Sequence, residues 1–283
     1  EIGPGTGNNA ALLAHHVGPG RETSNDVDRD VLSRARDSLR RFSNRQVRIE
    51  HADGRAGFPA GAPYDRIIVT ASAAEIEPAW LEQLSPAGKL LVPLVLAPGL
   101  EFIAVGSVTA GRFDGQLTRA AYFMPLRGER DVGPLPAEAT LPPPQQMKPL
   151  AAPWLRWFEQ GRRRAGWAAF SQSLALYMLL QGGVIHHCTL DDGSFLYGVS
   201  RNHSGRGAWF GKEAWFVSDE AVGKIVYGLF RSFLEASAPC PIDYDLVLGE
   251  ELSAEMSENT FVRRGPRWQQ QWRLQRRPRS NWL

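Results

Sequence analysis

The sequence is short of cysteine, of long apolar runs and of charge of one sign. Its 283 residues hold two cysteines, Cys188 and Cys240, too few for a disulfide framework and compatible with a reducing compartment, so a cytoplasmic setting is expected. The longest apolar stretches, such as 90–96, are interrupted by proline and fall short of the roughly 20 residues of a membrane-spanning helix. No membrane partner is expected. Lys and Arg number 32 against 30 Asp and Glu, a formal charge of +2, which is not the field of a dedicated nucleic-acid binder. No basic, apolar leader opens the chain. Glu1 reads instead as the end of a buried strand, and the natural N-terminus is expected upstream.

What is present through residue 118 is an alternation of strand-length apolar runs and helix-period segments, the pattern of βαβ units around a mostly parallel sheet. The spacing predicts a helix over 9–17, a strand over 22–27, and a helix over 30–42 whose Val31, Leu32, Ala35, Leu39 and Phe42 share one face. Strands follow over 47–51 and 66–70, then a helix over 78–84, a turn at 85–88 into a strand over 89–92, and an antiparallel pair over 103–108 and 116–124. The proline-rich stretch 133–150 has the composition of a stiff connector. Beyond it come a helix over 168–181, short strands within 184–217, a helix over 220–235 and strands over 244–248 and 268–274. The reading is an α/β domain over 1–132, a linker over 133–150 and an α+β domain over 151–283.

Chemistry concentrates at the start. In Gly3-x-Gly5-x-Gly7 the missing side chains let a strand turn into a helix and let backbone N–H groups approach a ligand. A glycine trio is equally an ordinary tight turn. Asp26, however, ends the next predicted strand, where a carboxylate can accept both hydroxyls of a ribose. Asp53-Gly54 follows the strand after that, where an acid can accept from an exocyclic amine and a glycine leaves room for a planar ring. Each Asp alone could be a cap or turn former. Together they place three anchors on the edge where open α/β sheets bind ligands.

These residues resemble class I methyltransferases, and within them protein L-isoaspartyl O-methyltransferases. The resemblance runs from Glu1-Ile2-Gly3-Pro4-Gly5-Thr6-Gly7 through Asp53-Gly54 and Pro63-Tyr64-Asp65-Arg66-Ile67-Ile68-Val69-Thr70-Ala71 to Leu84-Ser85-Pro86-Ala87-Gly88. It implies a Rossmann-like sheet and S-adenosyl-L-methionine as cofactor. Glu1, Gly3, Gly5 and Gly7 would bracket the methionine part, Asp26 the ribose, and Asp53 with Gly54 the adenine. Ser72 and Thr70 follow the fourth strand, where they could donate to the acceptor carboxylate or simply cap the strand end. The family's acceptor-contacting segment lies upstream of the glycine loop and has no counterpart in this chain. The long C-terminal region looks like the extension of homologues that tailor ribosomally made peptides, such as lanthipeptides and graspetides.

The resemblance therefore implies methylation of an Asp side chain in a modified ribosomal precursor peptide, giving an ester that leads to succinimide and isoaspartate. Repair of L-isoaspartyl proteins and a non-catalytic, peptide-binding methyltransferase fold are the alternatives. Hydride transfer on a nicotinamide fits less well, because that loop prefers Gly-x-Gly-x-x-Gly and here Asn8 and Asn9 follow Gly7. His186-His187-Cys188 cannot ligate one ion from a strand whose side chains alternate, and no metal site is expected. His15-His16 reads as surface. Arg263, Arg264, Arg267, Arg273, Arg276, Arg277 and Arg279 surround Trp268 and Trp272, which suggests a packed edge strand carrying arginines that are exposed or meet an acidic peptide. Trp154, Trp157 and Phe158 read as core at the domain junction, with a substrate platform as the alternative.

Overall fold

The computed structural model describes residues 1–41, 46–128, 141–152, 166–201, 205–212, 214–250, 252, 259–264 and 267–275. The first half is built as the apolar spacing predicts. Helix α1 (Asn8–Val17) follows the glycine loop, strand β1 (Thr23–Asp26) leads into α2 (Arg29–Arg41), and β2 (Arg48–His51) pairs in parallel with β1. Helix α2 starts where the Asp28 carboxylate accepts the N–H groups of Asp30 (2.8 Å) and Val31 (3.2 Å). It buries Leu32, Ala35 and Leu39; Phe42 lies outside the described residues.

Strand β3 (Tyr64–Ile68) pairs in parallel with β4 (Leu84–Ala97), and α3 (Pro78–Glu82) connects them. The expected turn at 85–88 is an irregularity within β4: Tyr64 faces Leu84, while Arg66 already faces Lys89. A Cβ at Gly88 would lie 2.8 Å from the Tyr64 carbonyl, so only glycine lets the chain fold back this closely. Strands β5 (Leu100–Thr109) and β6 (Arg112–Ala120) complete an antiparallel meander. Ile2 forms parallel bridges to both Asn25 and Val69, so it joins the β1–β2 pair to the larger sheet.

The C-terminal region contributes β7 (Lys148–Ala151), α4 (Trp167–Leu180), β8 (Val184–Thr189), β9 (Phe195–Ser200), β10 (Gly207–Phe210), β11 (Ala214–Val217) and α5 (Glu220–Glu235). Strands β12 (Tyr244–Gly249), β13 (Thr260–Arg264) and β14 (Gln269–Leu274) follow. Five of these strands form a separate antiparallel sheet in the order β7-β11-β10-β9-β8. The last three extend the first sheet, in the order β13-β14-β12-β6-β5-β4-β3. The protein is thus α/β with a mixed sheet and a further α+β region, as the sequence suggests.

Strands from both sides of the proline-rich stretch share one sheet, and one hydrophobic cluster runs from Ile2 to Trp272. Helix α4, buried throughout Phe170–Leu180, touches strands of both sheets. Of the expected linker, 133–140 lie outside the described residues. Of the remainder, Leu141, Pro144 and Met147 are buried and the Pro142 carbonyl accepts from Trp209 Nε1 at 2.9 Å, while Pro143, Gln145, Gln146, Lys148 and Pro149 are exposed. Strand β14 is not the edge strand that the alternation of Trp268, Gln270 and Trp272 suggests. β13 pairs outside it and β12 inside, and Gln271, on the opposite face, is buried as well. Trp154, Trp157, Phe158, Arg276, Arg277 and Arg279 lie outside the described residues. No described helix is long and apolar enough to cross a membrane.

Candidate active site at the carboxyl edge of the sheet

The loop after Ile2 turns on three glycines with left-handed backbones: Gly3 at φ +91°, Gly5 at +53° and Gly7 at +81°. Side chains are disfavoured there on conformational grounds alone. Gly7 is constrained twice, since a Cβ would sit 2.9 Å from the Ala35 carbonyl of α2, whereas one at Gly5 would meet nothing within 4 Å. The loop therefore packs on α2 at one end and is open in its middle. No side chain caps α1 at Gly7, so the first-turn N–H groups of that helix are available to a ligand.

Asp26 ends β1 and Asp53 follows its partner β2, while Glu1 precedes Ile2, which bridges to Asn25 of β1. The Glu1 carboxylate accepts from Asn9 Nδ2 (2.6 Å) and Ser24 Oγ (2.8 Å), which fixes it between α1 and β1. Asp26 ends β1, and its Oδ1 accepts the Asp28 N–H at 2.9 Å. Asp53 caps a short 3₁₀ turn over Gly54–Ala56, where it accepts the Arg55 N–H at 2.9 Å. Gly54 has a packing role that the sequence does not announce: a Cβ would lie 2.5 Å from Ile2 Cγ2.

The two hydroxyls read as acceptor contacts are both engaged with backbone. Thr70 Oγ1 lies 2.9 Å from the Ile2 carbonyl and 2.6 Å from that of Gly3, so it ties the end of β3 to the glycine loop. Ser72 is buried; its Oγ donates to the Phe123 carbonyl at 3.2 Å, its N–H to that of Met124 at 2.9 Å, and its carbonyl accepts from Leu126 N–H at 2.8 Å. The chain after β6 is thereby pinned across the edge beside Ser72. It leaves Tyr122, Phe123 and Met124 exposed, an apolar border to the site. Nothing in the spacing of 121–126 signals this pairing.

Glu101 is buried behind this segment and accepts the Phe123 N–H at 3.1 Å, and burial pushes its carboxyl up to about 7. On the other side, Arg55 donates to the Leu126 carbonyl (3.2 Å) and to Glu77 Oε1 (2.9 Å). Glu77 Oε2 in turn accepts from Arg267 at 2.9 Å, and Trp268 Nε1 donates to the Ile76 carbonyl at 2.7 Å. Arg267 thus meets Glu77 of its own chain, and a residue just before β14 reaches within two ion pairs of Asp53. Sequence reading missed Glu101, Arg55 and Glu77, whose partners are distant in sequence.

The remaining singled-out residues have other employment. His186 is buried and bonds Ser200 Oγ through Nε2 at 2.8 Å, whereas His187 stacks near Phe195 and Tyr197, its pKa lowered by burial. Side-chain alternation along β8 therefore separates the pair. Among the described residues no three His, Cys, Asp or Glu are grouped to hold a metal ion.

Residues 1–130 match the family model "Protein-L-isoaspartate(D-aspartate) O-methyltransferase (PCMT)". The chain is 39% identical over 104 residues to Protein-L-isoaspartate O-methyltransferase 1 of Anaeromyxobacter sp. (strain Fw109-5), covering 36% of this chain and 48% of that protein. It is 35% identical over 131 residues to the Protein-L-isoaspartate O-methyltransferase of Methanopyrus kandleri, covering 46% and 58% respectively. A solved structure of a protein-L-isoaspartate O-methyltransferase superposes with a TM-score of 0.47 at 20% identity, over 88% of this chain and 71% of that one. The chain spans about half the length of these curated relatives.

Proposed function

We propose, from the match of residues 1–130 to the isoaspartyl methyltransferase family, that this chain is an S-adenosyl-L-methionine-dependent carboxyl O-methyltransferase acting on an aspartyl or isoaspartyl side chain of a polypeptide. The observation that carries the reading is the ordered edge: Glu1 and three positive-φ glycines, then Asp26 and Asp53 at the ends of successive strands. These residues fit the cofactor. Gly5 leaves the loop open, the uncapped α1 terminus offers N–H donors, and each carboxylate is fixed by a neighbouring donor. Glu1 with Gly3, Gly5 and Gly7 would hold the methionine part, Asp26 the ribose hydroxyls and Asp53 the adenine amine. The bound cofactor supplies an electrophilic methyl group.

An acceptor carboxylate is already ionised near neutral pH, so no residue need remove a proton from it. What the chain supplies is alignment and exclusion of water. Thr70 and Ser72 are positioning residues in this account, one holding the glycine loop and the other holding the segment that bears Phe123 and Met124. Those exposed side chains border the acceptor, and the C-terminal region recognises the rest of the polypeptide.

The similar curated proteins carry isoaspartate methyltransferase names, which supports an isoaspartyl acceptor and hence the repair reaction over peptide tailoring. The long region beyond residue 130 is the observation that favours a dedicated precursor peptide with an ordinary Asp. Competition between an L-isoaspartyl peptide and its Asp counterpart for methylation by the full chain separates the two. Preferential esterification of isoaspartate is expected for repair and preferential esterification of Asp for tailoring; no base-labile methyl ester on either would sink the proposal.

A further inference from the structure

In the C-terminal region, α5, the end of α4 and strands β9 and β10 enclose a trough of about 740 Å³, within the roughly 300–1,000 Å³ of ligand sites. Its walls are apolar, formed by Val199, Val222, Ile225, Val226 and Leu229, and Ile225 is 47% exposed. Ala221, Ile225, Gly228 and Ser232 recur at helical spacing along the lining. At 1.5 Å per residue, this α5 face runs for about 17 Å. A Cβ at Gly228 or Gly182 would meet nothing within 4 Å, so both glycines border open space. Among the described residues nothing covers this concavity, and an exposed apolar concavity of this length marks a binding site more often than chance exposure.

The trough also has a charge. Arg201 lines it, is exposed, and has no hydrogen bond or ion pair among the described residues. Arg206 beside it pairs with Asp219 at 2.7 Å, the residue that caps α5. Among the described residues, the basic group of the lining left unbalanced is therefore Arg201. Besides the two arginines, the walls offer few side-chain hydrogen-bonding groups, chiefly Ser232 and Gln181, since Ser200 Oγ is already bonded to His186. An extended strand laid there would leave backbone groups unpaired, whereas a helix satisfies its own.

We propose that this trough docks an amphipathic helical segment of the acceptor polypeptide, with apolar side chains inward and a carboxylate against Arg201. The proposal rests on the reading that the acceptor is a polypeptide, because that reaction already requires such a chain. Docking there holds the acceptor by a segment other than the methylated residue, which raises its effective concentration at the sheet edge.

The test is fluorescence anisotropy of the full chain with a labelled amphipathic peptide of about 16 residues, long enough to form a helix. The peptide carries leucines three and four residues apart and glutamates at one end. Gly228→Leu fills the trough and is a better helix former, so Tm should hold or rise while affinity falls about tenfold. Arg201→Glu should weaken binding of the same peptide and restore it for a version with lysines in place of the glutamates. Unchanged affinity in Gly228→Leu, absence of the charge-swap rescue, or binding of dodecanoate in the trough with none of the peptide would each overturn the proposal. Because no cofactor is present in this titration, failure of methyl transfer and failure of docking are read separately.

Discussion

The sheet edge at residues 1–54 and the region beyond residue 141 are organised differently. At the edge, position is set by backbone: glycine φ angles, strand ends, and carboxylates held by N–H groups within two or three residues, as at Asp26 and Asp53. In the C-terminal region, position is set by side chains meeting across long separations. Arg267 reaches Glu77, Trp268 reaches the Ile76 carbonyl, and Tyr197 bonds the Gly99 carbonyl at 2.5 Å. Local devices make an edge that is recognisable in isolation. Distant contacts then decide how rigidly that edge is held.

If the two regions share one core, the largest effect should come from Trp272→Ala. This side chain is fully buried in the cluster that also holds Ile2 and Val69, and its truncation should cost about 3–5 kcal/mol. Denaturant unfolding should remain a single transition shifted as a whole; a first transition that leaves the glycine-loop half folded would break the comparison in favour of two independent units. Gly7→Ala comes next. A left-handed residue pressed against the Ala35 carbonyl should cost about 1–3 kcal/mol in strain and abolish most cofactor affinity, measured by calorimetry.

Arg267→Ala sharpens the link between the regions. It leaves buried Glu77 with Arg55 alone, and loss of a partner from such a site costs about 1–3 kcal/mol. Cofactor affinity should fall a few-fold, with partial recovery in Arg267→Lys; full affinity in Arg267→Ala would show that the network is purely structural. Thr70→Val should be milder, about 1 kcal/mol, and should raise the KM for cofactor more than it lowers kcat.

A separate effect concerns pH. Glu101 has a folded pKa raised from the ordinary 4.5 to about 7 by burial, so its contribution to stability is fully present below about 4.5 and is lost as pH rises through 7. Glu101→Gln should flatten this part of the stability profile, whereas an unchanged slope would place the titration elsewhere.

The contrast also explains what was legible in the sequence. Strand and helix periods, the glycine loop and the strand-end acids are short-range features, so the first half and its candidate ligand edge could be read directly. The roles of Gly54 and Thr70 could not, because they depend on Ile2, a residue 52 positions from one and 68 from the other. Nor could the place of β14, since pairing with β12 and β13 is decided by register between chain segments and not by alternation within one. The pairing of Ser72 with 123–126 is equally non-local.

The central claim is that the edge built from Gly3, Gly5, Gly7, Glu1, Asp26 and Asp53 holds the methyl donor. Calorimetric titration of the full chain and of Asp26→Ala with S-adenosyl-L-methionine tests it most directly. The account predicts saturable one-to-one binding by the full chain and a loss of at least about tenfold in the variant, the equivalent of one lost hydrogen-bonded partner. Absence of binding to the full chain, or equal affinity in Asp26→Ala, would contradict it.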